Sequence, residues 1–306
     1  MTLTRRAFNK AGLGLATALA VGGGTAVAGP GEMTRRAIPS SGELIPVIGL
    51  GTNRYGVDAS PEARAPLRVA LQRFAEMGGT VIDTAPMYRT SESVLGDLIA
   101  DLGIRDKLFI ATKADRDAGA EATDAQMRDS QRKLRTETFD LMQVHNLLGW
   151  REALAVMRDW KAEGRIRYIG ITTSREGQYG EFEQVMRQEE LDFVQLNYSV
   201  EQRASAERLM PLAKDRGMAV MINRGFGGGR IFKAVGDRPV PDWAREFDCD
   251  SWAQLLLKYA LSHPAATVAI PGMTKVHHVE DNMLAGHGRM PDAAERRKIE
   301  AFYDAL

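Results

Sequence analysis

The chain has 306 residues, of which 44% are hydrophobic and 26% charged, a composition typical of one large globular domain. Its 40 basic and 40 acidic residues balance, so its charge gives no reason to expect a nucleic-acid partner. The single cysteine, Cys249, excludes an intramolecular disulfide and any metal site built from several cysteines.

The first 28 residues differ in character from the rest of the chain. Arg5 and Arg6 precede an uncharged stretch, residues 11–28, that ends in Ala26-Val27-Ala28. This resembles a twin-arginine export signal cleaved after Ala28, which implies the twin-arginine machinery as a partner and a periplasmic or otherwise exported mature protein, residues 29–306, with no stable membrane span. The alternative is a membrane anchor, since 18 uncharged residues approach the length of a span. Five glycines weaken such a helix and favour the signal. Cleavage removes Arg5, Arg6 and Lys10 and no acid, which changes the formal net charge from 0 to −3.

From Ile38 onward, strand-like and helix-like segments alternate. A hairpin is predicted around Ser41-Gly42, and the apolar run 47–52 predicts a first strand. Ser60-Pro61-Glu62 has a capping residue, a proline and an acid, as at the start of a helix, and that helix ends at Gly78. Further strands are predicted at 80–83, 107–113, 138–144, 166–172, 192–197, 218–223 and 267–270. Further helices are predicted at 91–102, from 123, and at 150–163, 176–189, 201–216, 251–263 and 275–285.

This alternation indicates the α/β class. Short connections closed by glycine, as at Gly164 and Gly217, return each helix to a parallel neighbouring strand. Eight strand and helix pairs in this length favour a single-domain (β/α)8 TIM barrel preceded by a short hairpin, with one long loop at 224–250. A doubly wound open sheet gives the same alternation and is the alternative.

Ionisable residues stand at three successive strand ends. Asp83 ends the run Val81-Ile82-Asp83, Lys113 ends the next strand and His145 the one after. The turn at Ala85-Pro86 lets Tyr88 return toward Asp83. In a barrel, functional residues lie on the loops that follow the strands. Each residue alone is more often a cap, a packing residue or a solvated charge, but their ordered recurrence predicts one site.

The four side chains together suit the protonation of an oxygen on which charge develops. A tyrosine has a pKa near 10, and an adjacent ammonium, here Lys113, lowers that pKa by stabilising the phenolate. Asp83 keeps Lys113 protonated and oriented. A neutral His145 can donate a hydrogen bond to a carbonyl oxygen and hold it beside Tyr88.

These residues and their surroundings resemble the aldo-keto reductase family from Ile38 to the C-terminus. The matching motifs are the runs 49–52 (GLGT), 81–85 (VIDTA) and 169–172 (IGIT), together with Tyr88, Lys113 and His145. The resemblance implies a (β/α)8 barrel, a catalytic tetrad of Asp83, Tyr88, Lys113 and His145 with Tyr88 as general acid, and an NAD(P)H-dependent reaction on an aldehyde, ketone or sugar carbonyl. The alternative is a cofactor-binding redox sensor without catalysis on the same barrel.

The resemblance also implies a nicotinamide cofactor in extended form, with NADP(H) favoured over NAD(H). The glycine-rich run 225–229 is not a Rossmann fingerprint, since Arg230 occupies the place of the last glycine. It is interpreted either as a phosphate-binding loop after the seventh strand or as a hinge of the long loop. The expected cofactor contacts are Thr52, Asn53, Asp83, Thr172, Thr173, Gln195, Asn223, Arg224, Gly225, Phe226, Gly227, Gly272, Thr274, Lys275, His278 and Asn282. No metal is expected, because the adjacent histidines 277 and 278 have no cluster of acids or cysteines beside them. The substrate mouth is expected to contain Tyr55, Met87, Leu147, Trp150 and Phe226.

Overall fold

The computed structural model describes residues 25–26 and 32–306. Apart from Thr25–Ala26, the predicted export signal lies outside the described residues. The first elements form a three-stranded antiparallel sheet of β1 (Thr25–Ala26), β2 (Arg35–Ala37) and β3 (Leu44–Pro46). The predicted hairpin around Ser41-Gly42 is confirmed. Gly42 supplies the left-handed backbone of its turn, with φ +77°, and the Ile38 N–H donates to the Glu43 carbonyl at 2.8 Å.

Eight parallel strands follow, each hydrogen-bonded to its neighbour in chain order. They are β4 (Leu50–Gly51), β5 (Val81–Asp83), β6 (Phe109–Ala114), β7 (Phe139–His145), β8 (Ile166–Thr172), β9 (Phe193–Asn197), β10 (Ala219–Asn223) and β11 (Ala266–Ala269). Parallel bridges pair Ile48 with Ala269 and Gly51 with Gly272, which links the first segment of the sheet to its last strand. The arrangement is consistent with the predicted (β/α)8 barrel.

The helices are α1 (Pro61–Glu76), α2 (Ser91–Leu102), α3 (Gly119–Leu134), α4 (Trp150–Ala162), α5 (Tyr179–Gln188), α6 (Leu209–Asp215), α7 (Arg230–Val235), α8 (Trp252–Leu261), α9 (Val276–Leu284) and α10 (Ala293–Asp304). As predicted, Ser60 caps α1: its side chain accepts a hydrogen bond from the Ala63 N–H. Within the described ranges, no helix has the length and apolarity needed to cross a membrane.

Two predicted segments differ from the structure. The helix expected at 201–216 is limited to α6 and a short 3-10 turn, Ala204–Ala206. Pro211 accounts for the late start, because a proline has no N–H to donate and fits only the first turn of a helix. The loop at 224–250 is not irregular throughout, since it contains α7 and two 3-10 segments, Gly227–Gly229 and Asp242–Phe247. Helix α10 was not predicted.

The core has two parts. One is a large cluster of the helices' apolar faces and the outward-facing strand residues, such as Leu71, Ile110 and Val144. The other is a small cluster inside the sheet, in which Ile38 and Ile45 of the hairpin pack with inward-facing strand residues such as Phe109 and Phe193. The hairpin therefore covers the amino-terminal end of the parallel strands and leaves their carboxyl-terminal end uncovered by it.

Helices α2 and α3 pack closely at Gly96, and they follow the strands that carry Asp83 and Lys113. A Cβ atom added at Gly96 would lie 2.0 Å from the backbone oxygen of Lys133. We expect Gly96→Ala to lower the free energy of unfolding by about 1–3 kcal/mol, because the helices must separate to admit the methyl group. The measurement is urea unfolding followed by circular dichroism.

The matched control is Gly180→Ala in α5, where the added Cβ meets no atom within 4 Å. We expect the control to be neutral or to stabilise the protein by up to about 1 kcal/mol, since alanine favours helix over glycine. Equal effects of the two substitutions would contradict close packing at Gly96.

Candidate active site

The inward-facing positions of the strands change from apolar to polar toward the carboxyl end of the sheet. Side chains alternate between the two faces of a strand, so β6 presents Phe109, Ala111 and then Lys113 to the interior. Strand β7 likewise presents Leu141, Gln143 and His145. The same alternation that builds the interior core thus delivers ionisable groups to one end of the sheet.

An ion pair between Lys113 and Asp83 forms the centre of the site. The Lys113 ammonium donates to Asp83 Oδ2 at 2.7 Å and to the Thr84 carbonyl at 2.7 Å. The other carboxylate oxygen, Oδ1, accepts from Gln143 Nε2 at 3.2 Å and from Gln195 Nε2 at 2.8 Å. The side chains of Lys113 and Asp83 are 1% and 3% exposed, so the pair is almost fully removed from water. The carboxylate holds the pKa of Lys113 above its usual value despite burial, and the lysine stays charged.

Tyr88 lies on the turn after β5, beside this ion pair. The turn is held by a hydrogen bond from the Tyr88 N–H to the Ala85 carbonyl at 3.1 Å. The Lys113 ammonium lies 5.2 Å from the centre of the Tyr88 ring. Burial raises the pKa of Tyr88, and the charge of Lys113 lowers it; burial is the larger effect. Lys113 therefore acts in the predicted direction, but it limits a rise in the phenol's pKa and does not bring that pKa below 10.

His145 completes the group. Its ring centre is 6.2 Å from that of Tyr88, and the two rings are perpendicular. Burial, with the nearby charges of Lys113 and Arg175, lowers the pKa of His145 to about 3. The imidazole is therefore neutral at physiological pH, as predicted. Its Nδ1 atom is buried and has no hydrogen-bond partner within the described residues.

A cleft of about 590 Å³ opens above these side chains. Asp83, Tyr88 and His145 line the cleft. Lys113 lies behind Asp83 and donates a hydrogen bond to it. Most of the expected cofactor residues also line the cleft: Thr52, Asn53, Thr172, Gln195, Asn223, Arg224, Gly225, Phe226, Gly272, Thr274, Lys275 and His278.

Three expected cofactor residues do not line the cleft. Thr173 is fully buried, and its hydroxyl donates to Gln178 Oε1 at 2.6 Å. It follows Thr172 in extended backbone, so the two side chains point in opposite directions. Gly227 is buried against Glu201, and Asn282 is buried in α9 at 4% exposure.

Three of the residues that line the cleft are already engaged within the protein. Thr172 Oγ1 donates to Gln195 Oε1 at 2.9 Å, while the Gln195 amide nitrogen donates to Asp83. Thr52 donates its hydroxyl to the Asp83 carbonyl at 2.8 Å, which ties the loop after β4 to the end of β5. These three residues therefore support the ion pair as well as lining the cleft.

The predicted substrate mouth is partly wrong. Tyr55, Leu147 and Trp150 belong to the hydrophobic core, and the Tyr55 hydroxyl donates to the Met273 carbonyl at 3.1 Å. Met87, which is 55% exposed, and Phe226 line the cleft as expected. Sequence reasoning missed Arg54, Asn146, Ser174 and Phe232, which also line it. The first three of these residues closely follow the end of a strand, and this position in the sequence could have indicated that they line the cleft.

Comparison with known proteins agrees with this architecture. The sequence pattern of the aldo/keto reductase family matches residues 47–303. The chain is 29% identical over 257 residues to methylglyoxal reductase YeaE of Escherichia coli. The alignment covers 82% of this chain and 89% of that protein.

Solved structures of this family have the same fold. An aldo/keto reductase from Klebsiella pneumoniae, in complex with NADP and acetate, superposes with a TM-score of 0.72 at 26% identity over 86% of this chain and 93% of that one. The holo form of a Bacillus halodurans aldo-keto reductase gives a TM-score of 0.73 at 23% identity over 88% and 96% of the two chains. With a family match that extends over most of its length, and with the strand-end residues assembled at one cleft, the chain belongs to the aldo/keto reductase family.

Proposed function

We propose that the protein is an NAD(P)H-dependent oxidoreductase that interconverts a carbonyl compound and its alcohol, with Tyr88 as the general acid. The observation that carries this proposal is the assembly of a half-buried phenol, a charged lysine and a neutral imidazole at the base of one cleft. Relatives in the family are named as reductases and dehydrogenases of small carbonyl or hydroxyl compounds, such as the methylglyoxal reductase of Escherichia coli and the pyridoxal 4-dehydrogenase of Microbacterium luteolum.

The residues of the cleft fit a dinucleotide. The buried Oδ1 atom of Asn223 has no partner within the described residues, so a ligand donor can use it. Gly228 and Gly229 line the cleft with positive φ, and a Cβ at either would meet no atom within 4 Å, which leaves their backbone open to a ligand. At the far end, Thr274, Lys275 and His278 offer a hydroxyl, a cation and an imidazole to a phosphate group, which supports NADP(H) over NAD(H). The Klebsiella relative crystallised with NADP supports the same cofactor.

The protein's own groups perform the proton transfer. A bound nicotinamide supplies or removes the hydride. Tyr88 gives its phenolic proton to the carbonyl oxygen, and His145, which is neutral, orients that oxygen through a hydrogen bond. Lys113 stabilises the phenolate that results, because its ammonium lies beside the Tyr88 ring. Asp83 keeps Lys113 in place throughout.

Tyr88→Phe tests the proton donor. We expect carbonyl reduction to fall by about 10²- to 10⁴-fold, because this is the usual contribution of general acid catalysis. The affinity for NADPH should change little, since the substitution removes one hydroxyl. The measurements are steady-state oxidation of NADPH with a panel of small aldehydes and a fluorescence titration of NADPH binding. More than about a tenth of the wild-type kcat would remove Tyr88 from the role. If the wild type binds NADPH but reduces no aldehyde, a redox sensor replaces the reductase.

Lys113→Met tests the effect of the ammonium on the phenol. The lysine lowers the pKa of Tyr88, so its removal leaves that pKa higher still. In the direction of alcohol oxidation the phenolate accepts the proton, and we therefore expect the residual activity to require a higher pH. The control is Lys133→Met in α3, a partly exposed lysine paired with Asp129 at 2.6 Å, which should keep the wild-type pH profile. An unchanged profile in a folded Lys113→Met protein would exclude the tuning role.

We also propose that the protein is exported after folding and carries its cofactor with it. The resemblance of residues 1–28 to a twin-arginine signal supports export, and no free NADPH pool is expected outside the cytoplasm. Retention is supported by the segment after β10, where Phe226 and Phe232 line the cleft and Arg230 pairs with Glu201 at 2.9 Å. That segment would close over the cofactor.

Protein purified from the periplasm without added cofactor tests this proposal. We expect the purified protein to consist of residues 29–306 and to contain about one nicotinamide cofactor per chain. The ultraviolet absorbance of the cofactor and native mass spectrometry measure this content. An empty site that exchanges added NADPH rapidly would contradict retention, and a protein found in the cytoplasm at full length would contradict export.

A further inference from the structure

Two arginines in the cleft have no partner of opposite charge among residues 32–306. Elsewhere on the surface, arginines commonly pair with carboxylates, as Arg68 does with Asp101 at 2.6 Å. Within residues 32–306, the guanidinium groups of Arg54 and Arg224 make neither an ion pair nor a hydrogen bond. Both line the cleft, and both side chains are exposed to solvent.

These arginines come from different loops and line the same cleft. Arg54 follows β4, whose loop touches the Tyr88 turn: a Cβ at Gly56 would lie 2.4 Å from the Tyr88 carbonyl oxygen. Arg224 follows β10, and its charge acts on the phenol of Tyr88. Arg175, which follows β8 and also lacks an ion pair in the described structure, acts on His145. Two cations, Lys113 and Arg224, therefore act on the phenol of Tyr88, and Arg175 acts on the neighbouring His145.

No carboxylate in the described part of the cleft neutralises this charge. Asp83 lines the cleft but is paired with Lys113. The acids nearby are also engaged: Glu201 pairs with Arg230, and Asp115 lies 3.9 Å from Arg116. Unpaired guanidinium groups at a binding cleft indicate a ligand with negative charge, since their planar donors match carboxylate and phosphate oxygens.

We propose that the substrate is a carbonyl compound that carries an anionic oxygen group, a carboxylate or a phosphate ester, held by Arg224 together with Arg54. The carbonyl faces Tyr88 and His145 at the base of the cleft, and the anionic group lies at the mouth. Arg224, one of the expected cofactor contacts, is thereby assigned to the substrate because its charge acts on the phenol of Tyr88, and Lys275 is left for a phosphate of the cofactor. This inference rests on the proposed function and names the substrate class of that site.

Paired substrates that differ in charge test the inference. The first pair is 4-carboxybenzaldehyde and the neutral 4-formylbenzamide, and the second is glyceraldehyde 3-phosphate and glyceraldehyde. We expect the wild type to favour the anion of at least one pair by about 10- to 100-fold in kcat/KM, the size of a charge-assisted hydrogen bond. In Arg224→Gln that ratio should fall to near one. Arg297→Gln on α10, an exposed arginine outside the cleft, should keep the wild-type ratio.

A binding measurement separates this inference from the proposed function. Calorimetric titration of the wild type with terephthalate, and with glycerol 3-phosphate for the phosphate case, should show binding of at least one of them that Arg224→Gln loses. Equal kcat/KM within both pairs would overturn the inference and leave the reductase intact. Absence of turnover with every aldehyde would overturn the proposed function, and the titration would still decide whether the cleft binds anions. An Arg224→Gln protein that keeps its ratio but binds NADPH more weakly would assign Arg224 to the cofactor and overturn the inference.

Discussion

The ion pair between Lys113 and Asp83 is the constraint on which the site depends. Two charges so deeply buried are stable only if each has enough partners, and here the Thr84 carbonyl and the amides of Gln143 and Gln195 supply them. Removing one charge of a buried pair typically costs about 3–5 kcal/mol, because the other charge is left without a partner. The pair therefore fixes the ends of β5 and β6 relative to each other. It also sets the electrostatic environment in which Tyr88 and His145 function.

That environment explains how two titratable groups stay in the protonation states that the chemistry needs. The same ammonium favours the phenolate of Tyr88 and disfavours the imidazolium of His145. Burial reinforces the second effect and opposes the first. The result is a protonated phenol beside a neutral imidazole over the whole physiological range. Burial thus keeps both groups uncharged, and the buried cation stabilises the phenolate that Tyr88 would become in the proposed reaction.

Sequence reasoning recovered the strand ends well, because Asp83, Lys113 and His145 follow apolar runs whose length and termination are local properties. The direction of a side chain was harder to predict from the sequence. Thr172 and Thr173 look equivalent in sequence, yet strand alternation turns Thr172 toward the cleft and Thr173 toward Gln178. The burial of Tyr55 depends on the Met273 carbonyl, more than two hundred residues away, and no local pattern indicates it. The unpaired state of Arg224 is likewise a property of the assembled loops. Helix α10 begins at a capping box, in which Asp292 and Glu295 bind each other's backbone, and this is a local signal that the sequence carries.

The hairpin of β2 and β3 limits where a ligand can enter and leave the interior of the sheet. Ile38 and Ile45 close one end of the sheet, and they pack in one cluster with a layer of aromatic side chains that includes Phe109, Tyr168 and Phe193. Whatever reaches Tyr88 must enter and leave at the opposite end. Two ligands that share a single opening must leave one after the other, because the ligand nearer the opening blocks the release of the deeper one. For the proposed reductase, a β-hairpin at the other end of the sheet thus requires product and cofactor to leave through the same opening, one after the other.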